Sequence, residues 1–532
     1  MEIDAVAEKR GMSHLSRRAI LRIAASTLSV LTVGIAGCGQ PSARPNQQGA
    51  GGVAGAPPSG TTPAPGPTTG SIPTPVAAQP TTGVATAISA QPAVAVAGKT
   101  AEIIFWPRNP GESSVVWEKI VPLAKKMYPE VTVKLQPPAE DFNNKLLVAY
   151  AGGTPPDSGV TGLSTFRAFI GKKVFKSLQD HIDADADVKG WLKDYVPAAI
   201  QGYGYQGKLY AAPTVNESIV LFYNADAIRE AGLTPPREIE SDPQKWNWDT
   251  LVTYAKAINK GTGSRRARYG IIATGNKSSD GVFGISETWG NLAYARGGHF
   301  LDDDGEKCIF NTPETVEAVQ WVTDLTFKHD VQPNVADSAS AGVLDRAYFQ
   351  SGQIGMVIQG EYFRRYLWGS GKPSAGIPFN YDLAMMPFCP ATGKRTNIYH
   401  GNGSFMVSQT KNPTATWEWL KTIFSKEAQE IITANWGSRG ANLTTYDGWL
   451  KSNAGGGPPG LNYEAIIKAD KDTAPFPTTP YLTPDAMLEP TVRIMYDNVF
   501  QNKQPVQAGL DQLVRETNAL LEKGKKELDA RK

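Results

Sequence analysis

"AEIIFWP" (Ala101–Pro107) begins the part of the chain whose sequence pattern decides the fold. Its apolar and aromatic residues predict a strand, and the amphipathic segment "SSVVWEKIVPLAKKMYP" (Ser113–Pro129) predicts a helix. A second strand, "VTVKLQP" (Val131–Pro137), leads to "EDFNNKLLVAYAGGTPPD" (Glu140–Asp157), a predicted helix that a Gly-Gly pair closes. A buried strand, "SGVTG" (Ser158–Gly162), follows. This alternation predicts parallel strand pairing and an α/β fold.

The ends of these strands are the expected place for ligand contacts. In open α/β sheets, ligands bind beyond the carboxyl ends of the strands, where loops lead into helices. We therefore expect residues 106–111 and 157–165 to lie near a ligand. The predicted folded body, residues 99–532, is too long for one typical domain.

Five motifs follow one another along the chain, and together they resemble a known family. They are "AYAGGTPPDSGVTG" (Ala149–Gly162), "GKLYAAPTVNESIVLFYNADAIREAGLTPP" (Gly207–Pro236), "WNWDTLVTYAKAI" (Trp246–Ile258), "YFQSGQIGMVIQGEYF" (Tyr348–Phe363) and "VSQTKNPTATWEWLKTIFSKEAQE" (Val407–Glu430). The chain is similar to family 1 extracellular solute-binding proteins, the carbohydrate-binding lipoproteins that serve ABC importers. The resemblance covers essentially all of residues 99–532.

The resemblance implies a fold and a mechanism. The expected fold is a type II periplasmic-binding-protein-like clamp with two α/β lobes, an interlobe cleft and three hinge crossings, near residues 214–218, 400–403 and 436–444. The N-terminal lobe would comprise residues 99–215 and 402–437, and the C-terminal lobe 218–400 and 444–532. The lobes would close on a sugar or oligosaccharide by hinge motion, and an ABC permease would recognise the closed form.

Candidate ligand residues are aromatic or polar side chains that the strand pattern or the resemblance places near the expected cleft. Pyranose faces stack on aromatic rings, and their hydroxyls need paired donors and acceptors. Tyr362 stands where many family members carry a stacking Trp, which indicates a smaller platform or a different sugar. Asp157 has a structural alternative as a turn cap. The candidates are Trp106, Asn109, Asp157, Asn216, Glu217, Trp289, Glu361, Tyr362, Asn402, Trp436 and Arg439.

His400 and Arg108 are further candidates for contact with a ligand. His400 lies in the second crossing, and Arg108 either binds hydroxyls or is solvated. The Trp residues within predicted helices read as core; they are Trp117, Trp321, Trp417 and Trp419.

The N-terminus resembles an export signal. Arg17 and Arg18 fit a twin-arginine motif, although general-route signals also contain paired arginines, and Met12 is an alternative start. The apolar run that follows is shorter than the about 20 residues that span a bilayer. Ile35–Cys38 resembles a lipobox, which predicts lipidation of Cys38. Residues 38–98, rich in Gly, Pro, Ala and Thr, predict a disordered tether. The expected location is the extracytoplasmic face of the membrane.

Composition argues against several other classes. The chain carries a net charge of +2, and residues 1–37 carry all of it, which gives no support for a nucleic-acid partner. The few Cys and His residues show no metal-ligand spacing, and we expect no cofactor and a monomeric protein. Whether Cys308 and Cys389 pair is left open by the sequence.

Two other functions remain open. A surface-tethered glycoside hydrolase or lyase would need two carboxylates about 5–10 Å apart across the scissile bond, and Glu217, Glu287 and Glu361 are the candidates. No glycosidase pattern is visible, so the prediction is a binding protein rather than an enzyme. A ligand sensor would share the same fold, and the sequence does not identify the sugar.

Overall fold

The computed structural model describes most of the predicted folded body. The described residues are 101–108, 114–136, 141–263, 266–275, 283–336, 345–368, 377–452 and 460–530. The predicted export motif with Arg17 and Arg18, the lipidation site Cys38, the tether and the candidate Asn109 lie outside these ranges. Within them, no helix is long and apolar enough to cross a membrane.

The strands of the described region belong to two larger sheets and two short pairs. Numbered along the chain, they are β1 (Ala101–Trp106), β2 (Val131–Leu135), β3 (Ser158–Gly162), β4 (Phe175–Lys176), β5 (Gly204–Tyr205), β6 (Lys208–Leu209), β7 (Ala211–Glu217), β8 (Ile219–Asn224), β9 (Tyr269–Ile272), β10 (Ile354–Gly360), β11 (Tyr381–Ala384), β12 (Asn397–Ile398), β13 (His400–Val407), β14 (Arg439–Gly440) and β15 (Thr473–Ala474).

The larger sheet has seven strands in the order β14-β7-β13-β3-β1-β2, with β4 also paired to β13. β1 pairs in parallel with both β2 and β3, which confirms the pairing predicted from the strand–helix alternation. β13 runs antiparallel between β3 and β7. The four-stranded sheet has the order β11-β8-β10-β9. β5 with β6, and β12 with β15, form the two short pairs.

Helices connect and cover these strands. They are α1 (Ser114–Met127), α2 (Phe142–Ala151), α3 (Leu163–Gly171), α4 (Gln179–Ala184), α5 (Ala186–Trp191), α6 (Pro197–Gly202), α7 (Ala225–Glu230), α8 (Pro236–Ile239), α9 (Trp248–Ile258), α10 (Phe283–Glu287), α11 (Trp289–Arg296), α12 (Pro313–Phe327), α13 (Asp345–Gln350), α14 (Phe363–Trp368), α15 (Pro413–Phe424), α16 (Lys426–Asn435), α17 (Tyr446–Ser452), α18 (Tyr463–Lys468), α19 (Pro484–Thr491) and α20 (Val506–Asp529). Shorter 3₁₀ turns cover Leu192–Asp194, Leu443–Thr445, Ala469–Asp472 and Val499–Gln501, and a π-helical turn covers Val492–Tyr496.

Local sequence signals set several helix limits. The side chains of Asn247 and Ser425 accept backbone N–H groups at the starts of α9 and α16. Pro413 occupies the first position of α15, where its missing N–H costs nothing. At the end of α2, Gly152 is followed by Gly153 with a φ of 71°. The predicted Gly-Gly closure of α2 is therefore confirmed.

Aromatic side chains from β1, α1 and α15 form part of the core beneath the seven-stranded sheet. The rings of Phe105 and Trp117 lie 4.6 Å apart, and those of Trp117 and Trp419 lie 6.1 Å apart. All three side chains are fully buried. The core assignment of the helical Trp residues is confirmed for Trp117, Trp417 and Trp419, whereas Trp321 is partly buried against the same core.

β8 shows how the four-stranded sheet is buried on both faces. Its alternate residues Ile219 and Leu221 join the core cluster shared with the seven-stranded sheet. Val220 and Phe222, on the opposite face, join a separate cluster with Phe363. A strand buried on both faces reads as a continuous apolar run, and this explains the sequence "IVLF".

The chain passes between the two larger sheets three times. It leaves the seven-stranded sheet at Ser218, between β7 and β8, and returns between β11 and β13. It leaves again after β14, and α18 then packs against β8 and β11. These passages lie close to the predicted crossings, but the limits of the two lobes stay a prediction.

A buried polar cluster joins two of these passages. We call Asn216, Ser218, Arg439 and Asp470 the crossing cluster. Arg439 is fully buried, and its Nη1 lies 2.6 Å from Asp470 Oδ2. Ser218 Oγ donates to Asp470 Oδ1 at 3.0 Å, and Asn216 Nδ2 donates to Asp470 Oδ2 at 3.2 Å. Asp470 belongs to the 3₁₀ turn after α18, so one carboxylate ties the first and last passages together.

The two cysteines within the described residues do not pair. Cys308 and Cys389 are both free and buried, which answers the question that the sequence left open. Burial raises the pKa of the Cys308 thiol to about 12.

We predict that Asp470→Asn lowers the free energy of unfolding by about 3–5 kcal/mol, because it leaves the Arg439 guanidinium buried without a counterion. Urea denaturation followed by circular dichroism measures this change. Glu464→Gln is the matched control, since Glu464 pairs with Lys468 on the solvent-exposed side of α18 and its loss should leave stability almost unchanged. Equal effects of the two substitutions would contradict the structural role assigned to Asp470.

Candidate functional site

A cavity lies between the two larger sheets, at the carboxyl ends of β1, β3 and β7. It has a volume of about 240 Å³, and we call it the central cavity. The residues that follow β1 and β3 line this cavity. Ligand contacts are expected there, because ligands bind beyond the carboxyl ends of strands in open α/β sheets. Its lining residues are Arg108, Gly162, Leu163, Ser164, Glu217, Glu287, Tyr362, Arg365, Tyr366, His400, Gly401, Asn402, Trp436 and Phe476.

The seven-stranded sheet supplies one wall of the central cavity. Glu217 ends β7 and His400 begins β13, and the two residues are directly paired across the antiparallel ladder. Asn402 lies two residues further along β13, and its Oδ1 accepts a hydrogen bond from Arg108 Nη1 at 3.2 Å. Strand register therefore fixes three polar side chains at one edge of the sheet.

The opposite wall comes from the region around the four-stranded sheet. Tyr362 directly follows β10, and its hydroxyl donates to Glu287 Oε2 at 2.5 Å. Arg365 lies on α14, so it projects one helical turn after Tyr362. Its Nη1 donates to the Trp436 carbonyl at 2.9 Å, and its Nη2 lies 3.4 Å from Glu217 Oε1. Arg365 thus bridges the two walls.

Burial and the neighbouring side chains Arg365 and Ser438 shift the pKa of Glu217 in opposite directions. Burial raises the pKa of Glu217, while the cation of Arg365 and a hydrogen bond from the Ser438 hydroxyl lower it. The net direction is upward. Glu217 remains a hydrogen-bond acceptor that already has partners on its own protein.

His400 is neutral at physiological pH. Burial lowers the pKa of His400 to about 4, despite a hydrogen bond to the Ser286 carbonyl that acts in the opposite direction. Its Nδ1 lies 3.5 Å from Glu287 Oε1, so this contact is not an ion pair at neutral pH. The neutral ring packs edge-on against Phe476.

Four of the candidate ligand residues line the central cavity. They are Glu217, Tyr362, Asn402 and Trp436. Trp436 offers only an edge, since it is 9% exposed and packs perpendicular to Trp117. Their contact with ligand stays a prediction.

Trp289 is placed elsewhere. It is fully buried, and its ring packs against Phe310 and Phe500 at 5.8 and 5.5 Å. The ring does not line the cavity, so this placement supports a core role rather than stacking on a sugar.

Other candidates serve the protein's own hydrogen bonds. Asn216 and Arg439 belong to the crossing cluster. Glu361 is fully buried and pairs with Arg364 at 2.8 Å. Asp157 accepts from the Ile104 backbone and from the Thr410 hydroxyl, which agrees with its structural alternative.

Trp106, the remaining candidate within the described residues, packs edge-on against Phe142. Trp106 precedes the lining residue Arg108 by two positions, but it does not itself line the cavity.

Several lining residues were not singled out from the sequence. Arg365 and Tyr366 carried a detectable signal, since they lie three and four residues after Tyr362 and a helix places such residues on one face. Phe476 carried none, because a tertiary contact with His400 positions it. No group of His, Cys, Asp and Glu residues suited to holding a metal ion occurs within the described ranges.

The sequence of residues 120–454 matches the family model described as bacterial extracellular solute-binding protein. This match covers more than half of the chain. The chain belongs to this family. The motifs quoted from the sequence and the observed α/β architecture agree with that assignment.

Individual members of the family are more distantly similar to the chain. The arabinooligosaccharide-binding protein of Halalkalibacterium halodurans is 23% identical over 359 residues, which cover 65% of this chain and 72% of that protein. The maltooligosaccharide ABC transporter solute-binding lipoprotein of Streptococcus pneumoniae is 23% identical over 320 residues, covering 58% and 66%.

Solved structures show the same fold. The ABC substrate-binding protein Lmo0181 of Listeria monocytogenes, in complex with cycloalternan, superposes with a TM-score of 0.63 at 21% identity. The superposition covers 80% of this chain and all of that protein. The periplasmic-binding-protein-like fold expected from the sequence is therefore confirmed.

Proposed function

We propose that this solute-binding protein captures a sugar or oligosaccharide in the central cavity and delivers it to the permease of an ABC importer. One observation carries the proposal: the cavity combines two half-buried tyrosines, Tyr362 and Tyr366, with a ring of donors and acceptors from both sheets. Sugars need both features, since their C–H faces stack on rings and their hydroxyls need hydrogen-bond partners. Two relatives are named as an arabinooligosaccharide-binding protein and a maltooligosaccharide solute-binding lipoprotein, and these names support the same ligand class.

The proposed capture mechanism is hinge closure. In it, the seven-stranded and four-stranded sheets mark the two lobes, and the three chain passages are the hinge. Arg365 already contacts Glu217 and the Trp436 carbonyl on the facing wall. A ligand in the cavity would add further contacts between the same walls and favour the closed arrangement.

The proposal places the protein at the extracytoplasmic face of the cell membrane. Family membership supports an extracellular site of action, and one relative is named a lipoprotein. We propose that Arg17 and Arg18 direct export, that a lipid on Cys38 anchors the chain, and that residues 39–98 act as the tether.

A carbohydrate-active enzyme is the second candidate. Its three carboxylates are all engaged: Glu217 with Arg365 and Ser438, Glu287 with Tyr362, and Glu361 with Arg364 outside the cavity. Such partners suit acceptors of ligand hydroxyls better than an acid and a nucleophile poised for reaction. We therefore propose a binding protein rather than an enzyme.

A thermal-shift screen tests the proposed function. Its panel contains arabinotriose, maltotriose and the matching monosaccharides, with choline and spermidine as non-sugar controls. A sugar that binds only the folded protein raises the melting temperature, and the rise grows with ligand concentration. Product analysis by chromatography after prolonged incubation should show every sugar unchanged. A shift with the controls alone would contradict sugar binding, and sugar cleavage would favour the enzyme.

We predict different consequences for Tyr362→Ala and Trp289→Ala. Removing the Tyr362 ring should weaken sugar binding about tenfold, since ring stacking contributes about 1–1.5 kcal/mol and 1.4 kcal/mol corresponds to a factor of ten. Removing the fully buried Trp289 ring should lower the free energy of unfolding by about 3–5 kcal/mol. Calorimetric titration and urea denaturation of both variants measure the two effects.

The two variants serve as controls for each other. Trp289→Ala that remains folded should keep most of the wild-type affinity. An intact affinity in Tyr362→Ala, or a large loss of affinity in folded Trp289→Ala, would contradict the placement of these rings.

A further inference from the structure

Arg108 brings a positive charge into the central cavity, and its hydrogen bond within the described residues goes to a neutral amide rather than to a carboxylate. A guanidinium has five N–H donors, and within the described part of the chain the hydrogen bond of Arg108 is the one from Nη1 to Asn402 Oδ1. No Asp or Glu of that part lies within ion-pair distance of it. Burial lowers the pKa of Arg108, because an enclosed cation is poorly solvated, and the charge of Glu217 acts in the opposite direction. Arg108 therefore keeps N–H donors for a ligand.

The position of Arg108 adds to this positive potential. Its guanidinium lies directly on Gly162, since a Cβ added at Gly162 would overlap Arg108 Nη1. Gly162 is the residue before α3, and α3 has neither an acidic residue in its first turn nor a side-chain cap. The positive end of the helix dipole and the guanidinium thus lie side by side. They disfavour each other unless an anion lies between them or beside them.

The other charges that line the cavity have partners. Arg365 contacts Glu217 and the Trp436 carbonyl, and Glu217 also accepts from Ser438 Oγ at 3.1 Å. Glu287 accepts from the Tyr362 hydroxyl. Arg108 is the cation of the cavity whose hydrogen bond goes to a neutral amide oxygen, and Glu217, the carboxylate whose charge acts on it most strongly, is already in contact with Arg365.

We propose that the ligand is an acidic saccharide whose anionic oxygens bind Arg108 and the first backbone N–H groups of α3. The inference rests on the proposed function and narrows its ligand class. A carboxylate of a uronic acid and a phosphate on a sugar share the required chemistry, because both present oxygen pairs that accept two parallel N–H bonds from a guanidinium. The ligand's hydroxyls donate to Glu217 and Glu287. The cavity, at about 240 Å³, is smaller than the about 300–1,000 Å³ of typical drug-sized sites, which favours one or two sugar rings.

The test compares pairs of sugars that differ only in the acidic group. The pairs are galacturonate with galactose, digalacturonate with galactobiose, and glucose 6-phosphate with glucose. Melting temperatures and calorimetric dissociation constants are measured on the full chain at one ionic strength. The acidic member of at least one pair should bind tenfold or more tightly than its neutral partner. The pair that shows the preference distinguishes a uronate from a sugar phosphate.

Variants assign the preference to Arg108. Arg108→Gln should weaken binding of the acidic sugar at least tenfold and abolish the preference, and Arg108→Lys should retain part of it. Arg229→Gln, which removes an exposed guanidinium paired with Asp226 on α7, should behave like the wild type. Inorganic sulfate probes the anion site without any sugar. Compared with chloride at equal ionic strength, sulfate should raise the melting temperature of the wild type and of Arg229→Gln more than that of Arg108→Gln.

The outcomes separate the two proposals. Equal binding of neutral and acidic sugars, with no change in Arg108→Gln, would overturn the anion site and leave sugar binding intact. A panel in which no sugar binds would contradict the proposed function itself. In that case the sulfate measurement still decides the anion site, because equal sulfate shifts in the wild type and Arg108→Gln would overturn it.

Discussion

The buried guanidinium of Arg439 is the constraint on which the arrangement of the two sheets depends. A charge taken out of water must be paired and hydrogen-bonded. Its partner Asp470 lies 31 residues further along the chain, beyond the last passage, and Ser218 from the first passage contacts both residues. Satisfying one charge therefore brings three distant parts of the sequence to the same point. The cavity lies beside this point because β7 ends and β13 begins there.

The same constraint separates residues that hold the protein together from residues that line the cavity. Asn216 and Glu217 are neighbours in β7, where successive side chains point to opposite faces. Asn216 joins the crossing cluster, and Glu217 lines the cavity. A strand beside the cavity thus places one side chain in a structural cluster and the next in the cavity wall, so the loss of either side chain should have a different consequence.

The sequence predicted the fold more completely than the site. Strand–helix alternation and turn glycines act locally, which is why β1, α1, β2, α2 and β3 appear where the pattern indicates. The site depends on which of many aromatic and polar side chains face a shared space. Trp289 and Tyr362 looked equivalent in the sequence, yet Trp289 packs among Phe310 and Phe500. Arg365 and Phe476 reach the cavity through helix geometry and tertiary packing, which no short motif records.

Hydrogen–deuterium exchange of the full chain, with and without the sugar that gives the largest thermal shift, tests the central claim most directly. The claim is that one ligand contacts both walls of the central cavity. Saturation should slow exchange together in peptides that cover 162–171, 400–407 and 361–368, because these segments from both sides become less solvent-accessible and less mobile. Slower exchange in peptides from only one wall, or none within the cavity, would contradict it.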